Sequence, residues 1–201
     1  MSKNISIIII TNDNDIVLRD TLPTVLCQQY DARFEVIVVR ETKKGDIKDI
    51  LEPFYQQYEN LHSTYLPDQP QYVTNEEIEI LLGVKAAKYD NVVMISPAFS
   101  PESDEWLQQV GNVLEEYPLS DDNRPIMLGD AHIKKIGFFK RYKHKREVRK
   151  IIKKWCKPHG VNRKSLYLSK ENAGLFSIAF LHDSYIRDMS LRNIIYKQIY
   201  I

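Results

Sequence analysis

ISIIIIT, residues 5–11, decides the fold. A run this continuous in isoleucine is too apolar for a strand with one wet face, and reads as a strand buried on both sides. It ends in a polar turn, Asn12-Asp13-Asn14-Asp15. Two later runs have the same form: FEVIVV (34–39) stops at Arg40-Glu41, and NVVMI (91–95) stops at Ser96-Pro97-Ala98. Helical spacing fills the gaps. Asp15 caps a helix through Gln29 with Leu18, Leu22, Val25 and Leu26 as its apolar face, kinked at Pro23. After the turn Lys43-Lys44-Gly45, Asp46 caps a helix carrying Ile47, Ile50, Leu51, Phe54 and Tyr58. A short strand, His62 to Leu66, and a loop from Asp68 to Tyr72 follow. Thr74 with Glu77 forms a capping box for a helix lined by Leu81, Leu82, Val84 and Ala87. Ser100-Pro101 starts another, with Trp106, Val110, Val113 and Leu114 inside.

Strands alternating with helices imply an α/β, Rossmann-like fold with a mainly parallel sheet and right-handed crossovers. Ligands of such sheets bind beyond the carboxyl ends of the strands. The turns after Thr11, Val39 and Ile95 therefore share one rim. Residues 1–130 form this half. Residues 131–201 form a smaller, irregular C-terminal half of the same domain. A strand from Pro125 to Leu128 precedes it, ending at Gly129-Asp130. A helix spans Tyr142 to Lys157, where Val148, Ile151, Ile152, Trp155 and Cys156 hold helical spacing before Pro158 and Gly160. Ser165 to Tyr185 has no clear period, and NIIYKQIYI (193–201) is apolar and aromatic.

A chain of 201 residues with 43% hydrophobic and 27% charged side chains has the makeup of one ordinary globular domain. No apolar run approaches the ~20 residues of a membrane span. The opening MSKNISIIII reads as a core strand and not a signal peptide. Cys27 and Cys156 have no metal-ligand spacing and read as reduced, half-buried packing residues of a cytoplasmic protein. The net charge of +1 conceals a segregation: residues 134–164 carry +13 and the remainder −12. That segment interleaves its cations with Phe138, Phe139, Tyr142 and Trp155. Three readings compete for it. The plainest is a surface helix whose charges are solvated. The second is an interfacial helix on anionic lipid, which would put the protein at the inner face of the membrane. The third, a nucleic-acid surface, is disfavoured by the acidic remainder and by the lack of a recognition motif.

Residues 4 to about 115 resemble a family-2 glycosyltransferase of the GT-A type. That family opens with an apolar strand and Pro-Thr-Tyr-Asn, matched by Ile10-Thr11-Asn12-Asp13. Its next helix reads leucine-proline-x-hydrophobic-leucine and then glutamine, matched by Leu22-Pro23-Thr24-Val25-Leu26-Cys27-Gln28-Gln29. The two aspartates that end its second strand are replaced by Arg40 and Glu41. Leu82-Gly83-Val84-Lys85-Ala86-Ala87 matches the tail of its Ala-Arg-Asn-x-Gly run, and Glu79-Ile80-Leu81 replaces the head. At its metal-gripping D-x-D the chain has Ser96 and Ala98.

The resemblance implies a GT-A-like fold and a nucleotide-sugar site formed by Thr11, Asn12, Asp13, Glu41, Ser96 and Ala98. The implied activity is hexosyl transfer to a glycan or lipid-linked acceptor in bacterial envelope or surface polysaccharide synthesis. The alternative is a catalytically inactive relative that keeps the fold as a binding or scaffold protein. The family's cation is Mn²⁺ or Mg²⁺, but the D-x-D carboxylates are absent, so no metal ligand is assigned. Glu102 and Asp104 are the nearest acids in sequence and fall in the expected first turn of the next helix. The family's catalytic base is an acid in a Glu-Asp pair; no such pair follows Asp130, which leaves Asp183, beside His182, and Asp188. His159-Gly160-Val161-Asn162-Arg163 resembles a glycine-asparagine-arginine stretch of some bacterial members. The family runs longer, so the chain reads as a shortened member. Lys85 and the basic segment are the cations available to neutralise a diphosphate without metal.

Overall fold

The computed structural model describes residues 3–11, 17–40, 46–66, 75–119, 126–129, 172–179, 181 and 197–200. Strand β1 (Ile5–Thr11) is followed by helix α1 (Leu18–Leu26), β2 (Phe34–Arg40), α2 (Asp46–Tyr55) and β3 (Leu61–Tyr65). Then come α3 (Asn75–Ala86), β4 (Asn91–Ile95), α4 (Trp106–Glu116), β5 (Ile126–Gly129), β6 (Asn172–Ser177) and β7 (Lys197–Tyr200). The strands form one seven-stranded sheet in the order β3-β2-β1-β4-β6-β5-β7. β1 to β4 are parallel to one another, β6 is antiparallel to both of its neighbours, and β7 is parallel to β5. The expected α/β architecture is therefore present.

Both faces of the sheet are covered, which is why its strands read as unbroken apolar runs. Ile5, Ile7, Ile9, Val36, Val38, Val93 and Ile95 point to the side packed by Leu18, Leu22 and Val25 of α1, Leu51 of α2, and Leu107, Val110 and Leu114 of α4. Ile8, Ile37, Val39, Val92 and Met94 point the other way, to Ile80 and Val84 of α3. The contacts on this side come from Ile78, Ile80, Leu82, Gly83 and Val84 of α3 and from Ala87 just past its end. Leu81 is not in that cluster, contrary to the expected stripe. Gly83 allows the helix to lie close, since a Cβ there would stand 2.7 Å from Ile8 Cγ2 and 3.2 Å from Val39 Cγ2. Gly111 of α4 does the same for Tyr30, whose Cε2 would be 2.7 Å from an added Cβ. The Tyr30 hydroxyl donates to the Lys3 carbonyl. Burial, then Glu115 and Asp31, push this phenol up to about 12.

Several boundaries differ from the sequence reading. α1 is shorter than expected and contains Pro23. β2 runs one residue further, through Arg40, and β3 begins one residue earlier, at Leu61. α4 does not start at Ser100-Pro101 but at Trp106, because the cap that fixes its first turn comes from another part of the chain. Glu105, at the N-cap position, makes no capping bond with its side chain. Instead the amide oxygen of Gln28 accepts the Leu107 N–H at 2.9 Å, while its Nε2 donates to the carbonyls of Thr24 and Ser103, both at 2.9 Å. Gln28 is buried and ties the end of α1 to the start of α4. Gln28→Ala should lower stability by about 2 kcal/mol, the value of a lost cap together with a buried carbonyl left bare. Chemical denaturation should show a reduced midpoint with an unchanged slope. Cys27 is exposed rather than half-buried, with its Sγ 3.2 Å from the Tyr58 hydroxyl. Ser165 to Tyr185, which has no legible period, contains β6. The expected helix at 142–157 and the rest of the basic segment lie outside the described residues, as does Cys156.

Candidate functional site

The chain runs outward from β1 to β2 to β3 and then returns, through α3 on the opposite face, to place β4 on the other flank of β1. The strand order thus reverses between β1 and β4. In open α/β sheets a crevice opens beyond the carboxyl ends of the strands at such a reversal, and ligands settle there. Thr11 closes β1, and Ser96 follows the last residue of β4. The register sets Thr11 beside Arg40 and Arg40 beside Tyr65, so the ends of β1, β2 and β3 lie abreast. Ile95, just before Ser96, pairs with Ala173 of β6 and lies level with Ile9.

The β4 end is a fixed turn. The Phe99 N–H donates to the Ser96 carbonyl at 2.9 Å, and the Ala98 N–H donates to Ser96 Oγ at 3.2 Å. Serine first and proline second are the residues such a turn favours. Phe99 anchors it, buried against Trp106 with ring centroids 4.9 Å apart. Because Ser96 Oγ accepts the backbone bond, its own proton is left to donate elsewhere.

At the neighbouring strand ends Thr11 is 1% exposed and Arg40 8% exposed. The Arg40 guanidinium carbon lies 5.8 Å from the ring centroid of Tyr65, itself 37% exposed. Among the described residues the side chains that end β1, β2 and β3 and open the β4 turn are two aliphatic hydroxyls, a phenol and a guanidinium, with no carboxylate. Mn²⁺ and Mg²⁺ are hard cations that require anionic oxygen ligands. The described side chains at this rim supply no such ligand; Asp13 and Glu41, the carboxylates next in sequence, lie outside the described residues. Among the described residues no three His, Cys, Asp or Glu side chains come together as a metal-holding group.

Of the residues expected at the site, Thr11, Ser96 and Ala98 lie on this rim. Asn12, Asp13 and Glu41 directly follow Thr11 and Arg40 in sequence but lie outside the described residues, as do Asp183 and Asp188. Lys85 is not at this rim. It stands in the last turn of α3, just ahead of Lys88, whose N–H is bonded at the amino end of β2. Glu102 and Asp104 precede α4 rather than sitting in its first turn. Asp104 accepts a 2.6 Å bond from Gln29 Nε2, and its carbonyl takes the Gln29 N–H at 2.7 Å, so it holds the two helices together. The reading from sequence missed the pairing of Arg40 with Tyr65. Only the alignment of β2 with β3 brings them together, and no local signal announces it.

The sequence matches no known family profile and no curated protein. Its fold has solved counterparts. A mannosyltransferase from Pyrobaculum calidifontis, in complex with GDP-Man and Mn²⁺, aligns with 100% of this chain and 55% of its own at a TM-score of 0.58 and 11% identity. A 4-diphosphocytidyl-2C-methyl-D-erythritol synthase from Anaerococcus prevotii aligns with 99% of this chain and 87% of its own at a TM-score of 0.57 and 16% identity. TarS (residues 1–349) from S. aureus aligns with 63% of this chain, at a TM-score of 0.49 and 17% identity. The chain spans 35% of that TarS chain, and a likeness below a TM-score of 0.5 carries nothing further. At these identities the counterparts show a shared α/β, GT-A-like fold and nothing beyond it.

Proposed function

We propose that the protein binds a nucleoside diphosphate sugar at the carboxyl rim of β1, β2 and β4 and transfers the sugar to a glycan or lipid-linked acceptor. The observation that carries this reading is the reversal of strand order between β1 and β4, with Thr11, Arg40 and Ser96 set around it. Two counterparts of the fold support the ligand class. One is bound to GDP-Man, and the other is named for a product bearing a diphosphocytidyl group. In such a transfer the protein positions the donor, stabilises charge on the leaving diphosphate and removes a proton from the acceptor hydroxyl. Thr11, Asn12, Asp13, Glu41, Ser96 and Ala98 serve the first task in this proposal. Asp183 or Asp188 serves as the base.

The acceptor in this proposal belongs to envelope or surface polysaccharide synthesis. The +13 segment at 134–164 gives peripheral attachment to anionic lipid at the inner face of the membrane. No helix among the described residues is long and apolar enough to cross a membrane. A second reading, a binding or scaffold protein without turnover, is favoured by one observation. The β4 turn offers Ser96 and Ala98 where carboxylates would be needed to hold a cation.

Titration calorimetry with uridine, guanosine and cytidine diphosphate sugars tests the ligand class. Binding of at least one is expected, with a Kd in the roughly micromolar to millimolar range of ordinary substrates. Release of nucleoside diphosphate on adding acceptor supports transfer, and binding without release supports the scaffold. If none of these nucleotides binds, the rim is not a nucleotide-sugar site.

A further inference from the structure

We propose that Gln28 is a positioning residue for the β4 turn, holding Ser96 and Ala98 at the place where the nucleotide is bound. This rests on the nucleotide-sugar reading and deepens it. Two connections leave the reversal of strand order, one from β1 to α1 and one from β4 to α4. Gln28, just past the end of α1, joins them. It is 7% exposed. Its Nε2 donates to the carbonyls of Thr24 and Ser103 and its Oε1 accepts the Leu107 N–H, each at 2.9 Å. One buried amide therefore grips α1, the loop that follows β4, and the first turn of α4.

From Gln28 a continuous line of contacts runs to the turn. Leu107 follows Trp106, whose ring packs against Phe99 with centroids 4.9 Å apart. Phe99 is buried, and its N–H closes the turn on the Ser96 carbonyl at 2.9 Å. The Ala98 N–H adds the bond to Ser96 Oγ. The far end of the same loop is held by Gln28 on Ser103 and by Gln29 on Asp104, through its side chain at 2.6 Å and its backbone N–H at 2.7 Å. Glu105 supplies no side-chain cap to α4. Without Gln28 the first turn of that helix loses the bond beside Trp106, and Phe99 loses a fixed wall to pack on. A small displacement at a binding turn is costly, because hydrogen bonds to a ligand weaken steeply with angle and distance.

The test pairs amide hydrogen exchange with calorimetry on the full chain. Gln28→Met keeps the length of the side chain and none of its hydrogen bonds. Glu35→Ala, expected to cost comparable stability, is the control, because its network lies at the amino ends of β1 and β2. In Gln28→Met the Ala98 and Phe99 amides should exchange about 10-fold faster than in the parent protein. Affinity for the best binder among UDP, GDP and CDP should fall about 3- to 30-fold. In Glu35→Ala both should stay within about twofold of the parent. A merely structural Gln28 would behave like Glu35, speeding exchange in the core strands and leaving the turn as it was. Phe99→Leu combined with Gln28→Met should weaken binding by less than the product of the single effects, since both act through one line of contacts. Should Gln28→Met not fold, Gln29→Ala, which removes only an exposed bond to the same loop, should give a smaller shift of the same sign in both readouts. Parent-like exchange at Ala98 and Phe99, or parent-like affinity, in the folded variant overturns the proposal and leaves the nucleotide site standing. If the parent protein binds none of the three diphosphates, the nucleotide reading falls and the proposal with it.

Discussion

Glu35→Ala is expected to lower the unfolding free energy by about 2 to 3 kcal/mol, since it strips the acceptor from the buried Ser6 hydroxyl and the part-buried Lys88 N–H. Glu35 sits near the amino end of β2, 5% exposed, just before the apolar run Val36 to Val39. Its Oε1 accepts the Ser6 hydroxyl and the Lys88 N–H, each at 2.6 Å. Ser6 Oγ in turn accepts the Tyr89 N–H at 3.0 Å. The Glu35 carboxylate therefore joins β1, β2 and the connection from α3 to β4, with His62 Nε2 of β3 also 3.7 Å from Oε2. Alanine leaves the buried Ser6 hydroxyl and the part-buried Lys88 amide without their shared acceptor. Glu35→Gln keeps one acceptor, and its loss should be nearer 1 kcal/mol. Urea or guanidinium titrations of both variants, and of Ser6→Ala alone and combined with Glu35→Ala, give the measurement. A coupling energy above about 0.5 kcal/mol between Ser6 and Glu35 is expected for members of one network. A midpoint within error of the parent protein for Glu35→Ala would show that the network is not holding the turn.

Gly83→Val is expected to be about as damaging, at about 3 kcal/mol, and for a different reason. The added Cβ would press on Ile8 Cγ2 at 2.7 Å and Val39 Cγ2 at 3.2 Å, both on fully covered strands. Isoleucine and valine are branched at Cβ, so those methyls cannot move without turning χ1. Gly83→Ala makes the decisive comparison. In an exposed helix that change gains roughly 1 kcal/mol of helix propensity. Here the clash should exceed the gain and leave a net loss of about 1 to 2 kcal/mol. A net gain in thermal unfolding would mean that α3 can lift off β1 and β2 at little cost.

The fold was largely legible because strands buried on both faces produce short apolar runs, rich here in isoleucine and valine and closed by polar turns. The runs ending at Thr11, Arg40 and Ile95 are β1, β2 and β4, and the apolar faces of α1 and α4 were readable from spacing. What escaped depended on partners far along the chain. The start of α4 is set by Gln28, which lies 79 residues before Leu107. β6, the stretch NAGLFS (172–177), has weak strand character of its own and is held by pairing with β4 on one side and β5 on the other. At the site, the strand ends identified Thr11 and Ser96 as sharing a rim. The sequence already set Arg40 at the end of the second run in place of an acid; its inclusion in β2 and its pairing with Thr11 came from the register.

The reversed strand has a consequence for how the chain reaches its native state. β5 touches β6 and β7 but not β4, so it has no place in the sheet until β6 has arrived. During synthesis from the amino terminus, β3, β2, β1 and β4 can assemble from residues 5–95, while β5 waits for a partner that begins at residue 172. Ribosomes lengthen chains at roughly 5–20 residues per second, so the outer flank of β4 stays open to stray pairing for seconds before β6 closes it.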